Sequence, residues 1–351
     1  MSRCIGLLFF LVWVISVAQA QGSRARSAAS YVERGNGWLK KGELERAIDD
    51  YSLAIALDGG HAGAYHNRGL ARMQKGDLNG ALEDFDRSLE LDPRLVVALL
   101  GRGLARCSKG EIAAGLADFN RAIELTPRDA KAWVLRGEAR MRLGEVDAAI
   151  ADNTEAIRLD PSFAAAWRAR CGVRYVKGEI KAALGDCAQS LKLNPHDAMA
   201  LNNRGCILTD KGDLDEALGS LDQAIKLDPR QGYYYNNRGK VWYLKGDFER
   251  ALGDLDRALE LDESAAPAWL LRGVIRAKRS DYLRAIADFD QAIKLAPRLA
   301  NARFNRAVIL LQQGRLPEAA ADFARYRELV GKLKPEEEQL WRELKGQLRQ
   351  K

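Results

Sequence analysis

The sequence is poor in the residues that build metal and redox sites. It has only three histidines, His61, His66 and His196, and five cysteines whose spacing fits no zinc or redox template. It also lacks a phosphate-binding loop, a dinucleotide-binding fingerprint and a nucleophile elbow. These absences predict a protein without a metal site, a cofactor or an enzymatic activity.

Proline is scarce, with 9 residues, while 47% of the chain is hydrophobic and 29% is charged. This composition excludes the collagen-like and disordered classes for most of the chain. The formal net charge of +7 is spread along the sequence without an arginine-rich tail. We therefore predict no nucleic-acid binding and a mild preference for partners that carry acidic groups.

The longest apolar run lies within the first 20 residues. Arg3 precedes an apolar segment, residues 5–17, and a small-residue site ends at Ala20, before Gln21, which is the pattern of a signal peptide. The segment is shorter than the roughly 20 residues that span a bilayer, although an uncleaved N-terminal anchor is the alternative. We predict cleavage between Ala20 and Gln21, a flexible lead-in over residues 21–27, and a periplasmic or secreted chain that does not span the membrane.

A strict repeat of 34 residues dominates the rest of the sequence. A small residue, usually glycine, recurs at one position, and a second glycine position follows seven residues later, with Ser280 as its one exception. Apolar residues three, four and seven apart on either side of the second glycine predict two amphipathic helices joined by a tight turn. The predicted repeats cover residues 28–61, 62–95, 96–129, 130–163, 164–197, 198–231, 232–265, 266–299 and 300–333.

This repeat resembles the tetratricopeptide repeat family. The aromatic residue of the first helix is matched by Tyr31, Tyr65, Trp133, Trp167, Tyr235 and Trp269. The aromatic of the second helix is matched by Tyr51, Phe85, Phe119, Phe289 and Phe323, and the terminal proline by Pro93, Pro127, Pro161, Pro195, Pro229 and Pro297. Leu99, Leu201 and Arg303 depart from the pattern at the first aromatic position.

The resemblance implies an all-α fold, a right-handed superhelical α-solenoid of nine helix–turn–helix repeats. Such repeats bury their apolar faces only against their neighbours, so the last one needs a polar-backed cover. Residues 334–351 fit a capping helix, with Leu340, Trp341, Leu344 and Leu348 on one side.

Arginine precedes the first small-residue position in every repeat, which suggests either a groove for a polyanion or a set of structural ion pairs. The residue eight before the turn glycine should lie level with the residue eight after it, and aspartate occupies that second position in eight repeats. We therefore favour structural pairs with bidentate geometry. The predicted pairs are Arg34–Asp50, Arg68–Asp84, Arg102–Asp118, Arg136–Asp152, Arg170–Asp186, Arg238–Asp254, Arg272–Asp288 and Arg306–Asp322. Arg204 faces Ser220 and is predicted to be unpaired.

Two cysteines of the fifth repeat occupy positions that should face each other. Cys171 replaces the small residue of the first helix, and Cys187 replaces the aromatic of the second. In an oxidising compartment they could form a disulfide, and two buried free thiols are the alternative.

The family resemblance implies that the first helices line a concave face that binds a protein or an extended peptide. Its apolar part would be Leu70, Met73, Leu100, Leu104, Leu135 and Met141, and its polar part Asn202, Asn203, Tyr233, Asn236, Asn237, Lys240 and Tyr243. Several of these asparagines are also common scaffold residues in such repeats. The preferred function is a non-enzymatic scaffold for protein–protein interaction outside the cytoplasm. The alternative is a module that binds cell-envelope glycans through the Asn and Tyr surface of repeats six and seven. The sequence leaves the oligomeric state open.

Overall fold

The computed structural model describes residues 27–350, so the predicted signal peptide, its cleavage between Ala20 and Gln21, and most of the lead-in lie outside the described residues. The chain divides into two units, one ending at Lys177 and the other beginning at Gly178. The described part of the chain contains helices and no strands.

The first unit consists of nine helices. In chain order they are α1 (Ala28–Lys40), α2 (Leu44–Leu57), α3 (Ala62–Lys75), α4 (Leu78–Leu91), α5 (Val96–Lys109), α6 (Ile112–Leu125), α7 (Ala130–Arg142), α8 (Val146–Leu159) and α9 (Ala164–Lys177).

The second unit consists of ten helices. They are α10 (Ile180–Leu193), α11 (Ala198–Lys211), α12 (Leu214–Leu227), α13 (Gly232–Lys245), α14 (Phe248–Leu261), α15 (Ala266–Lys278), α16 (Tyr282–Leu295), α17 (Ala300–Gln312), α18 (Leu316–Val330) and α19 (Pro335–Gln350).

Each turn within a hairpin is built around a residue with left-handed backbone. Gly76, between α3 and α4, has φ 90°, and its N–H donates to the carbonyl of Met73 while the N–H of Asp77 donates to that of Arg72. These two bonds satisfy carbonyls that the end of α3 leaves free. The Asp77 side chain then caps α4 by accepting from the N–H of Gly80. Ser280 adopts the same conformation with φ 63°.

Small residues let the two helices of a hairpin approach closely. A Cβ placed on Gly103 would lie 2.5 Å from Cε1 of Phe119, so the ring of α6 fills the space that the glycine leaves on α5. The same cluster also contains Leu89 from α4 and Ala132 from α7, which belong to the neighbouring repeats. The core is therefore shared between consecutive repeats, as in repeat proteins generally.

The first helices of consecutive repeats pack side by side and form one face in each unit. In the first unit these helices are α1, α3, α5, α7 and α9, and in the second unit they are α11, α13, α15 and α17. We call this surface the inner face. Residues 27–350 contain no helix that is both long and apolar enough to cross a membrane.

The C-terminal helix α19 covers the ninth repeat. The ring of Trp341 stacks on Phe323 with centroids 5.3 Å apart, and Leu344 is 1% exposed. The hydroxyl of Tyr326 donates to Glu337 at 2.7 Å, and the Glu337 carboxylate also accepts from the N–H of Lys334 at 2.9 Å. This helix closes the apolar end of the last hairpin.

Candidate functional site

The arginine ladder holds hairpins together through buried carboxylates. In the second repeat, Nη2 of Arg68 donates to Asp84 at 2.7 Å and Nε donates at 2.9 Å, which is bidentate geometry. The Asp84 side chain is 3% exposed. The structure brings seven of the predicted pairs together at 2.6 to 2.8 Å: Arg34–Asp50, Arg68–Asp84, Arg102–Asp118, Arg136–Asp152, Arg238–Asp254, Arg272–Asp288 and Arg306–Asp322. The members of the eighth pair, Arg170 and Asp186, lie in different units, so that pair stays a prediction.

The same arginines also bind the preceding repeat, a contact that the sequence analysis missed. Nη1 of Arg102 donates to Asp86 at 2.7 Å, and Nη1 of Arg136 donates to Asn120 at 2.9 Å. In each case the acceptor lies 16 residues before the arginine, on the second helix of the previous repeat. The available signal was the polar residue at this spacing, namely Ser52, Asp86, Asn120, Thr154, Asp222, Asp256 and Asp290.

Aromatic side chains complete the arginine environment. The guanidinium of Arg136 lies 4.6 Å from the ring centroid of Trp133, and that of Arg272 lies 4.5 Å from that of Trp269. Hydrogen bonds to Asp254 raise the pKa of Arg238. Because these guanidinium groups bind internal oxygens and ring faces, the geometry favours the structural role over a polyanion groove.

The predicted apolar residues of the first unit lie at or below its inner face. Leu70, Met73, Leu104, Leu135 and Met141 are half-buried. Leu100 is only 5% exposed, because its side chain packs into the core shared by α4 to α7. The prediction that Leu100 contacts a partner was therefore wrong.

The predicted polar residues of the second unit divide into internal and surface positions. Asn202 is 7% exposed and accepts a hydrogen bond from Nδ2 of Asn237 at 2.8 Å, so the prediction that Asn202 contacts a partner was also wrong. Asn203 is half-buried. Tyr233 is 44% exposed, and its ring packs edge-on against Tyr234 with centroids 4.4 Å apart.

The inner face of the second unit contains a groove of about 390 Å³, which we call the α13–α15–α17 groove. The sequence analysis identified three of its residues, namely Asn236, Lys240 and Tyr243, all on α13. It missed the others, which occupy equivalent inner-face positions of the next two repeats or their edges: Leu244, Pro267, Leu270, Leu271, Val274, Leu299, Asn301 and Asn305.

Most of this groove is apolar, but it includes one unsatisfied hydrogen-bond acceptor. Oδ1 of Asn236 is buried and has no hydrogen-bond partner among residues 27–350. Its Nδ2 donates a long hydrogen bond of 3.4 Å to Asn237. Lys240 is paired with Asp210 at 2.9 Å, so it is not a free cation. The groove can therefore accept apolar side chains together with a neutral hydrogen-bond donor.

Neither histidines nor cysteines form a metal site within the described chain, where no group of three or more His, Cys, Asp or Glu side chains could hold an ion. Cys171 and Cys187 are each 0% exposed, but they lie in different units, so the disulfide stays a prediction. Cys107 and Cys206 are free thiols, and burial raises the pKa of Cys206 to about 11.

The repeat pattern can now be compared with known proteins. The tetratricopeptide repeat profile matches residues 62–95 and, in overlapping stretches, residues 100–162, 136–198, 173–231, 202–266, 237–300 and 270–333. The chain belongs to the tetratricopeptide repeat family. Members of this family are generally non-catalytic scaffolds for protein–protein interaction, and this chain has their all-α repeat fold.

Solved structures show the same fold at low sequence identity. A tetratricopeptide repeat protein from Parabacteroides merdae is 19% identical with a TM-score of 0.57, over 71% of this chain and 98% of that one. The Cut9–Hcn1 hetero-tetramer of APC/C contains a chain that is 17% identical with a TM-score of 0.66, over 90% of this chain and 76% of that one. No curated protein matches the sequence.

Proposed function

We propose that this tetratricopeptide repeat protein binds an extended segment of a partner protein in the α13–α15–α17 groove, and that it does so outside the cytoplasm. One observation carries the choice of site. The unpartnered Oδ1 of Asn236 lies in the same groove as the aliphatic side chains of Leu270, Leu271 and Val274. An extended peptide offers both a backbone N–H and apolar side chains, which match these two features.

The expected affinity is moderate. Burying one Leu-sized side chain contributes about 1.5–3 kcal/mol, and one hydrogen bond contributes about 1 kcal/mol. Ordering a flexible segment offsets part of this gain. A segment that inserts two or three apolar side chains should therefore bind in the micromolar range.

The proposed location depends on the N-terminal sequence alone. A charged residue, an apolar segment and a small-residue site form the pattern of a cleaved signal peptide in the first 20 residues. Measuring the N-terminus of the protein exported by its natural host tests this proposal. A mature chain that begins at Gln21 supports it, and a chain retained in the cytoplasm with an intact N-terminus contradicts it.

Glycan binding receives less support from the groove. A sugar needs several hydrogen-bonding groups and an aromatic platform, whereas this wall is mainly Leu, Val and Pro with the single ring of Tyr243. Retention of the protein on cell-envelope polysaccharide, with loss of retention in the groove variants below, would favour the glycan alternative.

The test uses peptides selected from a random display library against the full chain. Leu244→Asp, at the groove, should weaken binding of a selected peptide at least tenfold in calorimetry, because it places a charge beside the apolar segment. Asn236→Ala should weaken it about tenfold, because it removes the acceptor. Leu244 is 49% exposed, and the matched control Val97→Asp changes a residue that is 51% exposed in the first unit. If the control variant loses binding and the groove variants keep it, the proposed site is wrong.

A further inference from the structure

Arg204 differs from its equivalents in the other repeats. It occupies the ladder position on α11, yet within residues 27–350 no carboxylate pairs with its guanidinium and no ring lies over it. Three replacements account for this. Ser220 stands at the inner aspartate position, Ala188 at the outer acceptor position, and Leu201 at the aromatic position.

The inner position is closed to an external ligand. Ser220 is 2% exposed, and its hydroxyl donates to the carbonyl of Glu216 at 2.9 Å. The outer position is open, because Ala188 is exposed. At the equivalent place in other repeats, the outer carboxylates of Asp86, Asp222 and Asp256 are 50 to 56% exposed. An external group can therefore reach Arg204 from the side that these carboxylates occupy elsewhere.

The neighbouring charges have changed in the same direction. In the third repeat, Arg102 lines a surface pocket of about 450 Å³ together with Asp86, Leu89, Glu90, Pro93, Leu99 and Arg121. The equivalent residues around Arg204 are Ala188, Leu191, Lys192, Pro195, Leu201 and Gln223. The formal charge of this set therefore rises from zero to +2. Asp222, on α12, does not compensate, because it is paired with Arg238 at 2.7 Å.

We propose that Arg204 and Lys192 bind a carboxylate on an acidic side chain of a partner protein. A carboxylate fits because the guanidinium is planar, and in other repeats the same nitrogen donates to an aspartate at the outer position. Lys192 is exposed and adds a second positive charge to the same surface. This contact is separate from the α13–α15–α17 groove and does not depend on it.

Nitrogen-15 NMR of the arginine Nε–Hε groups in the full chain tests the proposal. Sodium acetate is titrated against sodium chloride at constant ionic strength, and the Arg204 signal is assigned from its loss in Arg204→Lys. Acetate should shift the Arg204 signal with saturation, while the Arg238 signal should stay in place. A short glutamate peptide should bind at least tenfold more tightly than acetate, since it offers several carboxylates near both cations.

Ala188→Asp is the matched variant, because it restores the outer carboxylate of the other repeats at an exposed position. It should reduce the acetate response at least fivefold without loss of the fold. An equal response in the wild type and Ala188→Asp, or an equal shift with chloride, would overturn the proposal. A saturable response to inorganic phosphate without one to acetate would also overturn it, because the site would then select a phosphate-class anion. Peptide binding in the groove should be unchanged in Ala188→Asp, so the two proposals can fail independently.

Discussion

The two units are built from the same hairpin but use its inner face differently. In the first unit the buried Leu100 packs within its own core, and every ladder arginine from Arg34 to Arg136 binds an internal aspartate. In the second unit a groove stays open beside the unpartnered Oδ1 of Asn236, and Arg204 has no carboxylate among the described residues. The regular repeat positions therefore maintain the fold, and binding capacity arises where positions depart from the regular pattern.

Removing an inner carboxylate from the first unit should have the largest effect. Asp118 is 4% exposed at its side chain and binds both Arg102, at 2.6 Å, and Arg106, at 2.8 Å. Asp118→Asn should lower the free energy of unfolding by about 3–5 kcal/mol in urea denaturation, because two guanidinium groups lose their common counter-charge. The outer control Asp86→Asn, at a side chain that is 50% exposed, should cost about 1 kcal/mol or less. Equal losses for the two variants would contradict the distinction between inner and outer carboxylates.

Truncating Leu100 tests whether the inner face of the first unit is part of its core. Leu100→Ala should lower the free energy of unfolding by about 2–5 kcal/mol, because it leaves a cavity among α4 to α7. Leu244→Ala, at the groove of the second unit, should change stability by about 0.5 kcal/mol or less. Thermal and urea unfolding of both variants provide the measurement, and a stable Leu100→Ala would reopen that residue as a binding position.

A buried histidine should make the stability of the first unit depend on pH. His66 is 8% exposed and its Nδ1 has no partner among the described residues, and burial lowers its pKa to about 4. The unfolded chain, with a pKa of about 6.5, takes up a proton first as the pH falls. The contribution of neutral His66 is therefore complete above pH 6.5 and decreases towards pH 4.

Between pH 7.5 and pH 5 this difference amounts to a loss of about 2 kcal/mol in the free energy of unfolding. His66→Gln should lose less stability over the same range, and urea titrations of both proteins at the two pH values measure the difference. A ring resonance of His66 that titrates near pH 6.5 in the folded protein would show that this part of the inner face is open to water.

Completing the ladder in the second unit should have a smaller effect of opposite sign. Ser220→Asp places a carboxylate at the inner position opposite Arg204, as in the other repeats. It should raise the free energy of unfolding by about 1–3 kcal/mol, since a partly desolvated guanidinium gains a charged hydrogen bond. The control Ser220→Ala should be close to neutral, because the hydroxyl donates only within its own helix. A loss of stability in Ser220→Asp would mean that the hairpin has no room for the pair.

The sequence predicted the parts of this architecture that are local. The turn at Gly76 and the pairing of Arg68 with Asp84 follow from helical geometry within one hairpin, so spacing along the chain reveals them. The contact of Arg102 with Asp86 joins two repeats and depends on how neighbouring hairpins pack, which spacing alone does not give. The α13–α15–α17 groove depends on side chains from three repeats, and for that reason the sequence located only its first helix.

Burial explains the two incorrect binding residues. Leu100 and Asn202 occupy the fifth position of their repeats, which the family pattern places on the inner face. Their side chains instead point into local environments, an apolar cluster for Leu100 and the amide of Asn237 for Asn202. A position rule assigns a direction from the helix axis, whereas exposure also depends on the neighbours. The disulfide between Cys171 and Cys187 stays a prediction, which peptide mapping without reduction would test.

Methyl NMR with a selected peptide tests most directly whether the open groove of the second unit, and not the inner face of the first, binds the partner. The account predicts that the methyl signals of Leu270, Leu271 and Val274 shift on binding while those of Leu70, Leu104 and Leu135 stay in place. Shifts confined to the methyl groups of the first unit would contradict it.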